Sequence, residues 1–423
     1  MTDILFTAAE TAAAGMALLL MGIGGARLLM RLVRLMRTGE GWESHAPRRQ
    51  FAPAQMMLAA AGAALVSRVL IYLTAYGMYR LLGVGCDGFF ASLEPLWTHW
   101  DTRHYTGIAL EGYTSVGDER LRLVFFPLYP LLMRLLSPLT MGSVFASGLL
   151  ISLLCSCISA ALIFDLTCMH CGREKAALAV MYFLLSPLSV FLCCVYTEAL
   201  FIALTLMAIC LMRRNRPYAA AVCGMLSAFT RMPGVIVSGL IIIALLEKAA
   251  NRQFTLRAAL ECAVQVLIVF GGLFAYWLVN DAVTGAPLTY MTYQKENWFQ
   301  EPGSFWASTA NTVHYFLDTV GEGDWLYTWG FQLLCMLVIY LMMAFCTKAL
   351  PFDLAAYSFV YVAVVLAPTW LLSGARYLYA LCTFPMMLAN LRLGRRGHAL
   401  LAAVHALLLI IWIFGYTIDI RVL

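Results

Sequence analysis

The chain is divided into apolar runs about as long as a bilayer is thick, and nothing else in the sequence limits its fold so strongly. A helix needs about 20 apolar residues to cross the hydrocarbon core. By that rule roughly 12 candidate crossings follow one another, at about 5–30, 54–82, 142–165, 176–194, 197–212, 218–230, 233–248, 259–280, 328–346, 352–371, 376–391 and 398–417. Only 12% of the residues are charged, where a soluble domain keeps about 25%, and the mean hydropathy is +0.81. A transmembrane barrel would alternate polar and apolar residues instead of sustaining such runs. The expected fold is an all-α, polytopic integral membrane helix bundle. The first run carries its charges after the apolar part and shows no cleavage site, so it reads as a true span and not a signal peptide.

Lysine and arginine set the sides. Arg31, Arg34, Arg37, Arg48 and Arg49 follow the first run. Alternate loops then carry Arg173 and Lys175, Arg213 to Arg216, Lys248 to Arg257, Lys348, and Arg392 to Arg396. These fall on one side, which the positive-inside rule makes cytoplasmic. The acids Asp87, Glu94, Glu296, Glu301, Asp318, Glu322 and Asp324 fall on the other, with two long loops at about 84–141 and 284–327. Both termini are then extracytoplasmic. The alternation requires 218–248 to cross twice, with Pro233-Gly234 at the bend beside Arg231; a single kinked helix would invert everything after it. The second loop is too apolar for free chain and too polar to span. It suits amphipathic helices roofing a cavity, or an aromatic belt. Asp165 and Glu261 read as interfacial.

The longest polar interruption of the N-terminal half runs from Trp97 to Pro130. A helix over Trp97–Ile108 would put Asp101, His104 and Tyr105 at i, i+3 and i+4, sharing a face with Trp97 and Ile108. A carboxylate, an imidazole and a phenol together suit proton transfer or polar-ligand binding. The same spacing also describes an interfacial helix with its aromatic residues at headgroup depth.

Four ordered motifs narrow the choice. The first is Trp100-Asp101-x-x-His104-Tyr105 with Ile108-Ala109-x-x-Gly112-Tyr113 and Phe125-Phe126-Pro127-Leu128-Tyr129-Pro130. The second is Leu185-Ser186-Pro187 through Tyr196-Thr197-Glu198-Ala199-Leu200-Phe201. The third is Gly224-x-Leu226-Ser227-Ala228-x-Thr230-Arg231-x-x-Gly234, and the fourth is Ser373-Gly374-Ala375-Arg376-Tyr377 with Phe384-Pro385. Together they resemble the GPI mannosyltransferase II family and its bacterial relatives, of the GT-C glycosyltransferases, from about residue 55 onward. The resemblance divides the chain into 1–53, an added N-terminal helix and basic cytoplasmic loop, and 54–423, a GT-C-like transmembrane catalytic domain.

The resemblance implies a mannosyltransferase that takes its sugar from a β-linked polyprenyl phosphate and forms an α-linked product. The expected sidedness agrees: an extracytoplasmic site has no access to nucleotide sugars, and no D-x-D pair is present to hold one. The partners expected are that lipid-linked donor, a glycan, lipid or protein acceptor, and membrane lipids. Asp101 is the expected general base, with His104 orienting it or touching the sugar. Arg231 and Arg376, each a cation in an apolar setting, are expected to hold the leaving phosphate. Trp100, Arg103, Tyr105, Glu198 and Tyr377 complete the expected substrate site.

Other chemistries lack their residues. No nucleophile elbow, P-loop or dinucleotide fingerprint occurs. The 13 cysteines lie mostly in apolar runs, only Cys86 falls in an external loop, and Cys168-x-x-Cys171 has no second ligand pair. No metal site, cofactor or disulfide framework is expected. The net charge of +5 is not spread evenly, but no basic patch interleaves with aromatics in a soluble segment, so no nucleic-acid partner is expected. The absence of an N-x-S/T acceptor favours a bacterial plasma membrane over the endoplasmic reticulum. Two other classes stay open: a secondary transporter or lipid-linked sugar flippase, which also uses intramembrane charges and broken helices, and a non-catalytic subunit of a glycosylation complex.

Overall fold

A computed structural model describes residues 2–42, 51–83, 88–323 and 325–419. Arg48, Arg49, Cys86, Asp87 and Asp324 lie outside the described residues. Helix α1 is Thr2–Thr38 and α2 is Ala54–Leu81. The first large loop holds α3 (Phe89–Trp97), α4 (Asp101–Glu111) and α5 (Leu128–Leu136). Then come α6 (Val144–Cys171), α7 (Arg173–Leu185), α8 (Glu198–Arg213), α9 (Pro217–Thr230), α10 (Val237–Ala250) and α11 (Leu256–Thr284). The second large loop holds α12 (Thr289–Trp298) and α13 (Phe305–Asp318). After it are α14 (Phe331–Phe345), α15 (Phe352–Val365), α16 (Gly374–Tyr379), α17 (Phe384–Ala389) and α18 (Arg395–Thr417). No strand occurs among the described residues.

Seven helical stretches among them are long and apolar enough to cross a membrane, and nine if two bent pairs each count as one crossing. The sequence gives roughly 12 runs of suitable composition, and the difference has local causes. The 218–230 and 352–371 runs form helices of only 14 residues, α9 and α15. At 1.5 Å per residue each reaches about 21 Å, short of a 30 Å core. The 376–391 run divides into α16 and α17, with Pro385 in the first turn of the second. The 176–194 run bends by 74° at Pro187.

Contacts gather the predicted basic loops at one end. Arg31 Nη1 donates to Leu350 O at 2.8 Å, and Arg213 pairs with Asp353 at 2.7 Å. Asp165, near the same end, is fully buried in protein, held by Arg214 and by the Ala52 N–H at 2.9 Å. At the opposite end His314 meets Glu10 at 2.8 Å, His99 meets Asp419 at 3.1 Å and Arg120 meets Glu296 at 3.6 Å.

The 218–248 segment is a hairpin. A Cβ on Gly224 would lie 2.9 Å from Val237 Cγ1, whereas 13 residues of straight helix would separate the two by about 20 Å. Gly234 folds back onto the backbone of Ser227 and Ala228, an approach that only glycine permits. Gly272 lets α11 approach the α9 backbone at Met225 and Phe229 in the same way. Arg231, in extended backbone at φ −157°, marks the turn.

Candidate active site

The first helix of the site begins later than expected. Trp97 closes α3, and a new helix starts at Asp101, so Trp97 and Asp101 do not share one helical face. The junction is Trp100 at φ +41°, a left-handed conformation that costs a bulky residue about 1–3 kcal/mol. The Tyr416 ring from α18 steadies it, with centroids 5.4 Å from Trp100 and 5.0 Å from His99. Asp101 thereby takes the first position of α4, where the helix dipole favours a carboxylate. His104 and Tyr105 follow one turn later, as the spacing predicts.

Glu198 is placed by a different device. From Ser186 to Thr197 the chain leaves α-helical geometry while fully enclosed by protein, so its carbonyls need donors from elsewhere. Arg68 of α2, itself fully buried, donates to Leu184 O at 3.3 Å and Ser189 O at 2.5 Å. Tyr72 donates to Cys193 O at 2.8 Å, Ser156 to Leu192 O at 3.4 Å and Ser152 to Cys194 O at 2.7 Å. This bracing delivers Tyr196 and Glu198 to the site, with Glu198 opening α8.

Four charges then converge from distant parts of the chain. Arg376 Nη2 donates to Asp101 Oδ2 at 2.7 Å, and its Nε lies 3.2 Å from Glu198 Oε1. Arg231 Nη1 donates to the same Glu198 oxygen at 2.6 Å. The order is acid, base, acid, base, and the cluster is formally neutral. Both arginines were expected to await a phosphate, but both are already paired, since a lone buried cation would go unsolvated. Aromatic rings wall them in. Arg231 sits 4.7 Å from the Tyr377 centroid, and Arg376 sits 4.9 Å from Tyr196 and 5.5 Å from Tyr377. Exposure ranks the four: the Asp101 side chain is 24% exposed, Arg231 16%, Arg376 4% and Glu198 2%. Asp101 and Arg231 are therefore the more accessible members of the cluster. Arg376 Nη1 and Glu198 Oε2 are buried with no hydrogen-bond partner.

The other expected residues divide. Tyr105 is buried, its hydroxyl 3.5 Å from Thr197 Oγ1, and burial together with Asp101 and Glu198 pushes its phenol up. His104 stacks on Phe125 at 4.6 Å. Burial there holds its imidazole below the ordinary value, with Asp101 opposing and Arg122 assisting. Trp100 serves the junction. Arg103 is exposed on another face of α4 and stands apart from the cluster. Tyr196 and Arg68 escaped the sequence-based site, although an arginine within a predicted span is itself a functional signal. Among the described residues no group of three His, Cys, Asp or Glu side chains could hold a metal ion.

The second large loop covers one side. Trp298, at the end of α12, meets His104 edge-on at 6.3 Å and Phe125 at 5.9 Å. Arg120 lies over Tyr293 at 5.6 Å, fastening α12 to the first loop.

Residues 89–296 match the family model described as Mannosyltransferase (PIG-V). GPI alpha-1,6-mannosyltransferase 2 of Mus musculus is 30% identical over 218 residues, 49% of this chain and 42% of that protein. The Homo sapiens protein of the same name is 31% identical over 218 residues, again 49% and 42%. The Cricetulus griseus protein is 34% identical over 167 residues, 37% and 32%. The matches thus span less than half the length of these relatives, and no solved structure matches. The family match is also narrower than the motifs suggested: Asp101, Glu198 and Arg231 fall within it, and Arg376 lies beyond its end. Over residues 89–296, the chain matches the GPI mannosyltransferase II family.

Proposed function

We propose that the protein transfers a mannosyl residue from a polyprenyl-phosphate sugar to a glycan, lipid or protein acceptor at the extracytoplasmic face of a membrane. The observation that carries this reading is the Asp101–Arg376–Glu198–Arg231 cluster, at the end of the bundle away from the basic loops. A transporter would gather such charges near the midplane. Here Asp101 and His104 come from α4, outside the candidate spans.

In this reading Asp101 is the general base. Arg376 fixes the direction of its carboxylate, and its exposure leaves it within reach of an acceptor hydroxyl. The acceptor oxygen attacks C1 of the sugar from the face opposite the phosphate. The new C1–O bond forms as the C1–O–phosphate bond breaks, and the acceptor proton passes to Asp101. The bonding pair leaves with the phosphate oxygen, so a β-linked donor yields an α-linked product. Arg231, the more exposed cation, with Tyr377 at its side, receives the phosphate charge. Arg376 supports both from behind through Asp101 and Glu198. Residues 54–423 form the catalytic unit, of GT-C type. Its short helices and bent pairs complete about 12 passes where neighbouring helices satisfy their backbone. The lack of N-x-S/T acceptors supports placement in a bacterial plasma membrane.

The test is transfer of labelled mannose from polyprenyl-phosphate mannose by purified protein in vesicles, with lipid and protein products separated. Asp101→Asn keeps size and one oxygen but removes the base. Transfer is expected to fall by about 10²–10⁴-fold while donor binding persists. Near-normal turnover in this variant would remove Asp101 from the reaction and leave Glu198 as the next carboxylate to test.

A further inference from the structure

The cluster has a rim that the transfer step leaves unused. One helical turn from Asp101, the stacked His104 and Phe125 rings meet Trp298 in T-shaped contacts. On the other side, the segment leading into the Arg376 helix is pinned at Thr369. The Thr369 N–H donates to Glu301 O at 3.0 Å, and its hydroxyl donates to Phe299 O at 3.3 Å. That hydroxyl also accepts the Glu301 N–H at 3.0 Å, and Asn311 Nδ2 donates to Thr369 O at 2.6 Å. A Cβ on Gly303 would lie 2.8 Å from Ala367 O, so glycine lets the two segments touch. Residues 298–303 therefore strap the wall bearing Asp101 to the wall bearing Arg376. Within the strap Phe299 stands at φ +52°, a left-handed conformation that its surroundings must impose.

We propose that Trp298, presented by this strap, is an acceptor-binding residue that takes the face of a pyranose ring and so governs which acceptor meets Asp101. A pyranose offers a patch of C–H groups suited to an aromatic ring, and hydroxyls that need polar neighbours. Gln294, Lys295, Glu296, Asn297, Gln300 and Glu301 supply them, and Lys295 pairs with Glu301 at 3.0 Å. Such flanks also keep Trp298 out of the hydrocarbon, which favours a glycan over an acyl chain.

The inference rests on the transferase reading, so the experiment separates the two. Octyl α-mannoside serves as the acceptor probe with polyprenyl-phosphate mannose as donor, and release of mannose to water is followed in parallel. Trp298→Ala is expected to raise the KM for octyl mannoside about tenfold, the scale of one lost aromatic contact, with donor hydrolysis unchanged. Trp298→Phe should restore most of the loss. Independently of activity, maleimide labelling of Trp298→Cys should be slowed by octyl mannoside and not by an octyl detergent lacking sugar. An unchanged KM, or equal protection by both amphiphiles, overturns the proposal and assigns Trp298 to the headgroup layer. A wild-type protein that neither transfers nor hydrolyses the donor overturns the transferase reading, and the proposal with it.

Discussion

Arg376 joins two carboxylates that nothing else holds together, so its replacement separates charge pairing from chemistry. Arg376→Met removes a 2.7 Å bond to Asp101 and a 3.2 Å contact to Glu198. Glu198 is 2% exposed and has no water to turn to, although Arg231 remains on one oxygen. Removing one member of a buried ion network costs about 3–5 kcal/mol. If that loss falls on the reacting geometry, turnover drops by roughly 10²–10⁴-fold at 1.4 kcal/mol per decade. Arg376→Lys keeps the charge but has one donor centre where the guanidinium reaches Asp101 through Nη2 and Glu198 through Nε. One charge-assisted bond, about 1.5–3 kcal/mol, is expected to be lost, and activity to fall about 10- to 150-fold. The decisive comparison is a double-mutant cycle with Glu198→Gln, read by thermal unfolding in detergent and by transfer rate. Neutralising Glu198 relieves the stranded charge, so the double variant should be more stable than the sum of the single losses by about 1–3 kcal/mol, without recovering activity. Strict additivity in stability would mean that the contact carries no energy and that the four charges do not act as a unit.

Two further outcomes follow from the same structure. In a cysteine-free background, Glu119→Cys should react with an impermeant reagent from outside and Arg216→Cys only after permeabilisation, because the basic loops gather at one end; the reverse pattern would place the site among nucleotide sugars and refute the lipid-donor reading. Burial lowers the His104 imidazole from its ordinary value of 6.5, so the folded state binds fewer protons there than the unfolded chain. The stability this confers is complete above pH 6.5 and is lost as pH falls through the lowered value. His104→Phe should flatten that part of the stability–pH profile, and an unaltered profile would show that His104 does not carry it.

How much of this was legible beforehand differs from element to element. The apolar runs identify a membrane protein because any long polar interruption would be unsatisfied in lipid, and this holds whatever the packing. The alternating loop charges likewise predict which loops meet, and Arg31 at Leu350 and Arg213 at Asp353 meet as they predict. The register of Asp101, His104 and Tyr105 was readable because helical spacing is local. So was the bend at Arg231, because Pro233 and Gly234 are local breakers. The break before Asp101 was not readable: Thr98, His99 and Trp100 carry no such signal, and the Tyr416 ring that packs on Trp100 comes from the distant α18.

Pairing lay beyond the sequence for a different reason. Asp101 and Arg376 are 275 positions apart, and an ion pair depends on distance in space, which no periodicity encodes. The motifs therefore named these charges as separate groups, a base here and phosphate ligands there. The tertiary structure joined them through Glu198, because charges taken out of water must neutralise one another before any substrate arrives.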